Sequence, residues 1–197
     1  MTNSEPPTPR VPFPPVVEFL IGNIASGKSS WTRQRAADGW ITVNHDSLVR
    51  SMHGGDYAWE DQMPGLKTEL GLLILSSAAR HGRSVVVDNT NRGRPHRAPF
   101  LSAARRAGMK VRAVLFPASP PEIHARRRFE SDPRGKSFEY WLEVARLIEE
   151  ESEHPGPDEV DERVVLPEDW RELLSAAQAG AGPADLDRLF PPESGEA

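Results

Sequence analysis

The residue pattern with the clearest chemistry is a glycine-rich run near the N-terminus, GNIASGKS at positions 22–29. It matches the phosphate-binding pattern G-x-x-x-x-G-K-[ST] at every position. Glycines let the backbone wrap closely, so that successive N–H groups point at phosphate oxygens, and the following helix adds its positive N-terminal end. Lys28 is then expected to bridge the β- and γ-phosphates of ATP or GTP, and the Ser29 hydroxyl to bind Mg²⁺. The predicted nucleotide-binding residues are Gly22, Asn23, Ile24, Ala25, Ser26, Gly27, Lys28, Ser29 and Ser30.

Two carboxylates follow predicted strands, on the side of a parallel sheet where ligands bind. Asp46 lies just past the second strand and is the candidate base that accepts the proton of an attacking hydroxyl. The alternative is that Asp46 only caps a helix beginning near Ser47. Asp88 ends the strand VVV at 85–87 and is the candidate ligand of Mg²⁺, directly or through water. The alternative there is a polar turn at 88–91 that caps the next helix.

Four arginines follow the fourth predicted strand, with Arg126, Arg127 and Arg128 in a helix and Arg134 in the loop beyond. The planar guanidinium suits phosphate oxygens and can stabilise the charge on a transferring phosphoryl group. Consecutive helical residues are rotated by about 100°, so the three adjacent arginines cannot all face one phosphate. We expect Arg126 and Arg134 to act in catalysis and the others to be solvated. The alternative is a basic face that is solvated throughout.

The elements that must position these residues alternate between apolar strands and amphipathic helices. This order predicts a three-layer α/β/α domain over 16–178, with a parallel sheet of four or five strands and an arginine-bearing lid. The proline-rich segment 1–15 is predicted to be a disordered arm, and 179–197 a flexible C-terminal tail. The predicted strands cover 16–21, 40–44, 84–87, 111–116 and 163–166. The predicted helices cover 28–37, 64–81, 95–107, 120–130, 138–148 and 168–177.

The composition excludes several kinds of site and leaves one ambiguity of charge. The chain has no cysteine, which rules out disulfides and thiolate zinc sites, and its six histidines show no H-E-x-x-H spacing. No apolar run approaches the length of a membrane span, so a cytoplasmic location is expected. Residues 80–136 hold fourteen Lys/Arg against four acids, and residues 139–197 hold seventeen acids against four arginines. Such segregation favours a basic stretch that faces nucleotide or nucleic acid; the alternative is that both groups solvate opposite surfaces.

Together these segments resemble the 5′-kinase domain of polynucleotide kinases of the bacteriophage type. The resemblance spans roughly 17–148. The residues that carry it are GNIASGKSSW at 22–31, WITVNHDSLVRSM at 40–52, VVDNTN at 86–91, and the segment 122–135 with its Arg-Gly ending. The phosphate-binding run is common to many enzymes, so the N-H-D and D-N-T-N stretches carry most of the specificity.

The resemblance implies a fold, a reaction and a set of roles. By this likeness Lys28 and Ser29 bind the donor phosphates, and Asp46 is the general base. Asn91 lies near the acceptor, and Arg134 belongs to an arginine lid. The family implies ATP and Mg²⁺ as cofactors, and the 5′-hydroxyl end of DNA or RNA as the acceptor.

The acceptor side departs from the family pattern. In the family, an arginine three residues after the base grips the acceptor's adjacent phosphate, whereas this chain has Val49 there and Arg50 one residue later. On a helix that shift turns the side chain by about 100°. The predicted acceptor-binding residues are Arg50, Asn91 and Arg92. Two other functions stay open: a small-molecule kinase acting on an antibiotic, sugar or nucleotide-like acceptor, and a nucleotide-gated ATPase acting as a partner protein.

Overall fold

A computed structural model describes residues 14–58, 63–132, 135–179 and 184–194. Helices and strands alternate along most of this part of the chain. The strands are β1 (Val16–Ile21), β2 (Ile41–Val43), β3 (Val85–Val87), β4 (Lys110–Leu115), β5 (Glu162–Val165) and β6 (Glu193–Ser194). The helices are α1 (Lys28–Ala37), α2 (His45–Met52), α3 (Met63–Arg80), α4 (Arg94–Arg106), α5 (Pro121–Glu130), α6 (Phe138–Glu150), α7 (Trp170–Ala179) and α8 (Leu186–Leu189).

The strands form one sheet in the order β2-β3-β1-β4-β5-β6. The first five run parallel, and Phe19 of the central β1 pairs with Val87 on one side and Ala113 on the other. β6 adds a short antiparallel edge beside β5. The predicted three-layer α/β/α fold with a five-stranded parallel sheet is confirmed. The sequence does not predict β6, because two residues are too few to show a strand pattern.

Helices cover both faces of the sheet and bury its apolar residues. All of β1 is buried, as is typical of a strand inside a parallel sheet. On one face Phe19 packs with Phe100 of α4, and α3 contributes to the same cluster. On the other face Leu20 packs with Trp31 of α1 and Trp170 of α7. The carboxyl ends of β1, β2 and β3 therefore meet at one edge of a rigid, two-sided core.

Residues 184–194 lie on the sheet, where the sequence predicts a tail. Leu186 is 1% exposed and Phe190 is 5% exposed, and both belong to the core cluster around Trp31. Asp187 accepts hydrogen bonds from Arg35 at 2.6 Å and from Arg112 at 2.9 Å. This segment therefore adds a helical turn and an edge strand to the domain.

Candidate active site

The chain between β1 and α1 forms a tight loop whose shape requires glycine. Gly27 adopts a left-handed conformation with a φ of 108° directly before α1. A Cβ placed there would lie 2.5 Å from Cζ2 of Trp170, so backbone conformation and space both exclude a side chain. Asn23 anchors the loop from the other side, because its Nδ2 donates to the carbonyl of Ala145 at 2.9 Å. The protein's own contacts with α6 and α7 thus hold the loop in place.

Lys28 lies under this loop with its ammonium group turned toward it. Nζ donates to the carbonyl oxygens of Gly22 at 2.8 Å and Asn23 at 2.6 Å. Burial lowers the pKa of Lys28 to about 8, and the charge of Asp88 opposes this decrease. A desolvated ammonium held by carbonyls can exchange them for phosphate oxygens, which are stronger acceptors.

Asp88 lies beside Lys28 at the end of β3. Its side chain is buried, and burial raises its pKa, while the charge of Lys28 and a hydrogen bond from Ser29 oppose that increase. The structure thus brings together Ser29 and Asp88, the two residues predicted to hold Mg²⁺. Both offer oxygen atoms, which are the ligands that Mg²⁺ prefers.

The start of α2 forms a second wall of the site and is tied to the end of β3. Asn44 caps the helix, since its Oδ1 accepts from the Ser47 N–H at 2.8 Å, and its Nδ2 donates to the Asp88 carbonyl at 2.8 Å. The capping role left open for Asp46 therefore belongs to Asn44. Asp46 is exposed, in the first turn of the helix. Its carboxylate is available to a ligand in the space between the two walls.

One cleft of about 330 Å³ joins these groups. Lys28, Ser29, Asp88 and Asp46 all line it. The full lining is Ile24, Ala25, Lys28, Ser29, Asn44, His45, Asp46, Lys67, Asp88, Asn89, Thr90, Arg128 and Trp141. The predicted donor-phosphate residues, metal ligands and base therefore share a single open space, which we call the transfer cleft.

Several residues of the transfer cleft were not predicted as site residues, and Lys67 and His45 are two of them. Lys67 reaches it from α3; burial lowers its pKa, and the charge of Asp46 opposes this decrease. His45 precedes Asp46, and burial together with the charge of Lys67 lowers its pKa to about 4, so its imidazole is neutral near neutral pH. No motif marks Lys67, because its place in the cleft depends on how α3 packs against α2.

The arginines of α5 point in different directions, as the helical rotation predicts. Arg128 lines the transfer cleft and lies 4.8 Å from the ring centroid of Trp141. Arg126, the predicted catalytic residue, is exposed and lies over Phe138, outside the lining of that cleft. Arg128 is thus the α5 arginine that lines the transfer cleft, and the catalytic role of Arg126 stays a prediction. Arg134 lies outside the described residues.

The predicted acceptor-binding residues are not brought into the transfer cleft. Arg50 lies over the ring of Tyr57 at 5.6 Å from the centroid, and the preceding Val49 is completely buried. Asn91 is 3% exposed, and its Nδ2 donates to the carbonyls of two strands, at 2.9 Å on β1 and 3.0 Å on β3. Arg92 forms an ion pair with Glu151 at 2.6 Å. These contacts place the three side chains outside the lining of the transfer cleft, and their acceptor role stays a prediction.

A second cleft of about 320 Å³ adjoins the loop from the other side. Arg127 and Arg171 line it, and Nη2 of Arg171 donates to the Ser26 carbonyl at 2.6 Å. Burial, followed by the charge of Arg127, lowers the pKa of Arg171. The other lining residues are Pro117, Ala118, Ser119, Pro120, His124, Glu168 and Trp170. We call this space the side cleft.

The basic stretch 80–136 is extensively paired with the acidic stretch 139–197. Arg97 is an example, being completely buried and 3.0 Å from Glu159. The pairs that join the two stretches are Arg92–Glu151, Arg94–Asp158, Arg94–Glu159, Arg97–Glu159, Lys110–Glu162, Arg112–Glu162, Arg112–Asp187 and Arg146–Glu122. Many charges of the two stretches thus neutralise one another within the molecule. From the sequence alone we expect only a basic stretch that faces an anionic ligand, or two stretches that solvate opposite surfaces.

Two kinds of feature are absent from the described residues. None of the described helices combines the length and apolar character needed to cross a membrane. Within the same part of the chain, no group of three or more His, Cys, Asp or Glu side chains is placed to hold a metal ion. Any Mg²⁺ at Ser29 and Asp88 would therefore take its remaining ligands from phosphate and water.

The pKa of Lys28 predicts how nucleotide binding depends on pH. Because the folded-state pKa of about 8 lies below the ordinary 10.5, the unfolded chain binds more protons between these values. The free energy of unfolding should therefore rise with pH in this window, whereas ATP affinity should fall by up to about tenfold per pH unit. Calorimetric titration with MgATP on both sides of pH 8 measures this slope. Lys28→Met should bind MgATP weakly, with an affinity that does not change across pH 8. An affinity of the unmodified protein that stays constant across pH 8 would contradict the prediction.

Comparison with known proteins gives a family and several similar folds. Residues 17–154 match a family model described as AAA domain. A fungal RNA kinase superposes with a TM-score of 0.56 at 14% identity, covering 89% of this chain and 92% of that one. The Mycobacterium tuberculosis APS kinase CysC, in complex with AMPPNP and APS, gives 0.54 at 18% identity, with 85% and 99% coverage. A chain of the Pnkp1/Rnl/Hen1 RNA repair complex gives 0.53 at 21% identity, but this chain spans only 46% of it.

Proposed function

The chain belongs to the AAA domain family and has the fold of a P-loop kinase, and from this premise we propose that it transfers the γ-phosphate of ATP to the 5′-hydroxyl end of DNA or RNA. The observation that carries the proposal is the transfer cleft. Lys28 of α1 and the exposed carboxylate of Asp46 of α2 both line it. One open space therefore offers a cation to a phosphoryl donor and a base to an alcohol acceptor.

On the donor side, the loop amides and Lys28 hold the β- and γ-phosphates. The side cleft takes the nucleoside end, because Ser26 of the loop and the two arginines Arg127 and Arg171 line it. A guanidinium group stacks on the face of an aromatic ring. Arg127 and Arg171 therefore offer stacking partners to the planar base of the nucleotide. Arg128 faces the transfer cleft and stabilises the negative charge on the phosphoryl group as it leaves ADP.

Ser29 and Asp88 fit a magnesium ion, because a hydroxyl and a carboxylate share a hydrogen bond at the edge of the loop. When bound there, Mg²⁺ neutralises phosphate charge and orients the donor. The side chains of the protein supply the other interactions with the phosphates. Asp88 also lowers the cost of keeping Lys28 protonated, since its charge raises the lysine pKa against the effect of burial.

On the acceptor side, Asp46 accepts the proton of the attacking hydroxyl. A base in this position contributes about 10²–10⁴ in rate. Lys67 lies in the same cleft and offers a positive charge to an anionic acceptor. The acceptor class is supported by the Asn44-His45-Asp46 and Asp88-Asn89-Thr90 stretches, all of which line the cleft. It is also supported by the similarity in fold to an RNA kinase and to a chain of an RNA repair complex.

A small-molecule kinase is the second candidate, and two observations favour it. Val49 is completely buried where a polynucleotide kinase has an arginine, and Arg50 lies over Tyr57, outside the transfer cleft lining. In addition, much of the basic stretch is paired inside the molecule. A small acceptor with one anionic group needs only the charge of Lys67.

An acceptor panel with γ-labelled ATP and Mg²⁺ tests the proposal. We expect label on single-stranded and nicked 5′-hydroxyl oligonucleotides, and none on the matched oligonucleotides that already carry a 5′-phosphate. The affinity for these oligonucleotides should also decrease as salt rises. Label found only on pooled metabolites would support the second candidate. ATP hydrolysis with no labelled acceptor of either kind would overturn both.

A further inference from the structure

Exposed aromatic rings lie on α5 and α6, in two edge-on pairs. Phe129 is 47% exposed and Tyr140 is 43% exposed. The ring of Phe129 meets that of Phe138 edge-on at 6.4 Å between centroids. Tyr140 in turn lies 4.9 Å from Trp141, again edge-on. Large rings left in water on adjacent helices are typical of a surface that binds something.

Two cationic side chains lie close to these rings. Arg126 lies 6.0 Å from the ring centroid of Phe138, and Lys136 lies 5.4 Å from that of Tyr140. Neither cation takes part in the ion pairs found among the described residues, in contrast to the many paired arginines between 80 and 112. We name Arg126, Phe129, Lys136, Phe138 and Tyr140 the aromatic surface. Its cations keep their charge available to a ligand.

The aromatic surface is continuous with the transfer cleft. Trp141 lines the cleft and touches Tyr140 of the surface. Arg128 also lines the cleft and lies over the Trp141 ring at 4.8 Å from its centroid. A chain whose end lies in the cleft beside Asp46 would therefore run onto these rings when it leaves. The ligand must be long, anionic and able to present flat faces.

We infer that the aromatic surface stacks the unpaired bases of a single-stranded nucleic acid whose 5′ end occupies the transfer cleft. The inference rests on the proposed function, and it names the strand conformation that the enzyme takes. Every base has a face that can stack on an aromatic ring, and arginine or lysine beside the ring meets the backbone phosphates. Glu130 and Glu139 also lie exposed on these helices, so stacking contributes more than net charge.

Direct binding of a labelled 5′-hydroxyl oligothymidylate of about ten nucleotides tests the inference by fluorescence anisotropy. We expect Phe129→Ala and Tyr140→Ala each to weaken binding by about tenfold, since a lost base–aromatic stack has an effect of this order. Tyr140→Phe should retain the affinity. The control is Leu173→Ala, which removes a similarly exposed apolar side chain (42%) from α7 and should change nothing. Equal affinity for all five proteins, or no oligonucleotide binding by the unmodified chain, would overturn the inference.

Phosphoryl transfer separates this inference from the proposed function. A dinucleotide acceptor reaches the transfer cleft but not the rings, so Phe129→Ala should raise KM for the oligonucleotide and leave transfer to the dinucleotide unchanged. If the unmodified protein labels neither acceptor, the proposed function fails, whatever the binding result. If it labels both and the alanine variants behave like Leu173→Ala, the proposed function stands and the stacking surface does not exist.

Discussion

Replacing Asp46 by asparagine is expected to lower the rate of phosphoryl transfer by about 10²–10⁴-fold, the usual contribution of a general base. Asparagine has nearly the same shape but cannot take the proton of the acceptor hydroxyl. ATP affinity should not change, because Asp46 lies on α2, whereas the phosphate-binding residues Lys28 and Ser29 lie on α1. Single-turnover rates with labelled ATP measure the first quantity, and nucleotide titration measures the second.

Asp56→Asn is the matched control, since Asp56 is an exposed carboxylate that follows α2 and does not line the transfer cleft. It should leave both the rate and the ATP affinity unchanged. Asp46→Glu should recover part of the lost rate, because it restores a base at a slightly different position. A decrease in ATP affinity as large as the decrease in rate would contradict the role of Asp46, since it would show a donor-site defect.

The donor side of the site can be predicted from the sequence because its geometry is local. The run from Gly22 to Ser29 lies between an apolar strand and a helix. This order is enough to predict that its backbone N–H groups converge on a phosphate-binding site. Asp46 and Asp88 follow adjacent parallel strands, whose carboxyl ends meet at one edge of the sheet. Their presence in one cleft therefore follows from chain order and from the parallel topology.

The acceptor side cannot be predicted in this way because it depends on how helices pack. Lys67 is one of many polar residues on α3, and only the contact of α3 with α2 selects it. The arginines of α5 could be distinguished by periodicity: His124 and Ala125 are buried, and Arg128 follows them by one helical turn. Arg126 lies on another face. Choosing between them requires knowing which side of α5 faces inward.

Asn91 shows how a motif can mislead about a side chain. It lies in the D-N-T-N stretch and has a φ of 48°, a left-handed conformation that asparagine tolerates better than most residues. In that conformation its amide turns into the core and bonds the carbonyls of Leu20 and Val87. The neighbouring Asn89 and Thr90 line the cleft instead. The sequence position of this segment places it at the cleft, and the backbone conformation decides which of its side chains line the cleft.

Glu18 is the residue whose loss is expected to harm the fold most. It lies in the middle of β1 and is completely buried. Its two oxygens accept hydrogen bonds from Arg35 at 2.5 and 2.9 Å, from Arg112 at 3.0 Å and from Trp31 Nε1 at 3.0 Å. Glu18→Gln keeps the shape and removes the charge, so Arg35 and Arg112 lose one of their two shared carboxylates and keep the other, Asp187. Because Asp187 remains, we expect a loss of about 3 kcal/mol of the free energy of unfolding, the lower end of the range for breaking a buried ion pair.

The exposed pair Arg146–Glu122 provides the control for Glu18. Its side chains are 58% and 53% exposed, and Glu122→Gln should change the free energy of unfolding by less than about 1 kcal/mol. Urea titration of the two variants gives the comparison, and equal midpoints would contradict the role of Glu18. The consequence extends to the active site, because Arg35 lies in the last turn of α1, whose first residue is Lys28. The buried carboxylate thus fixes the far end of the helix whose N-terminus faces the phosphates, and Glu18→Gln should weaken ATP binding even in the fraction that remains folded.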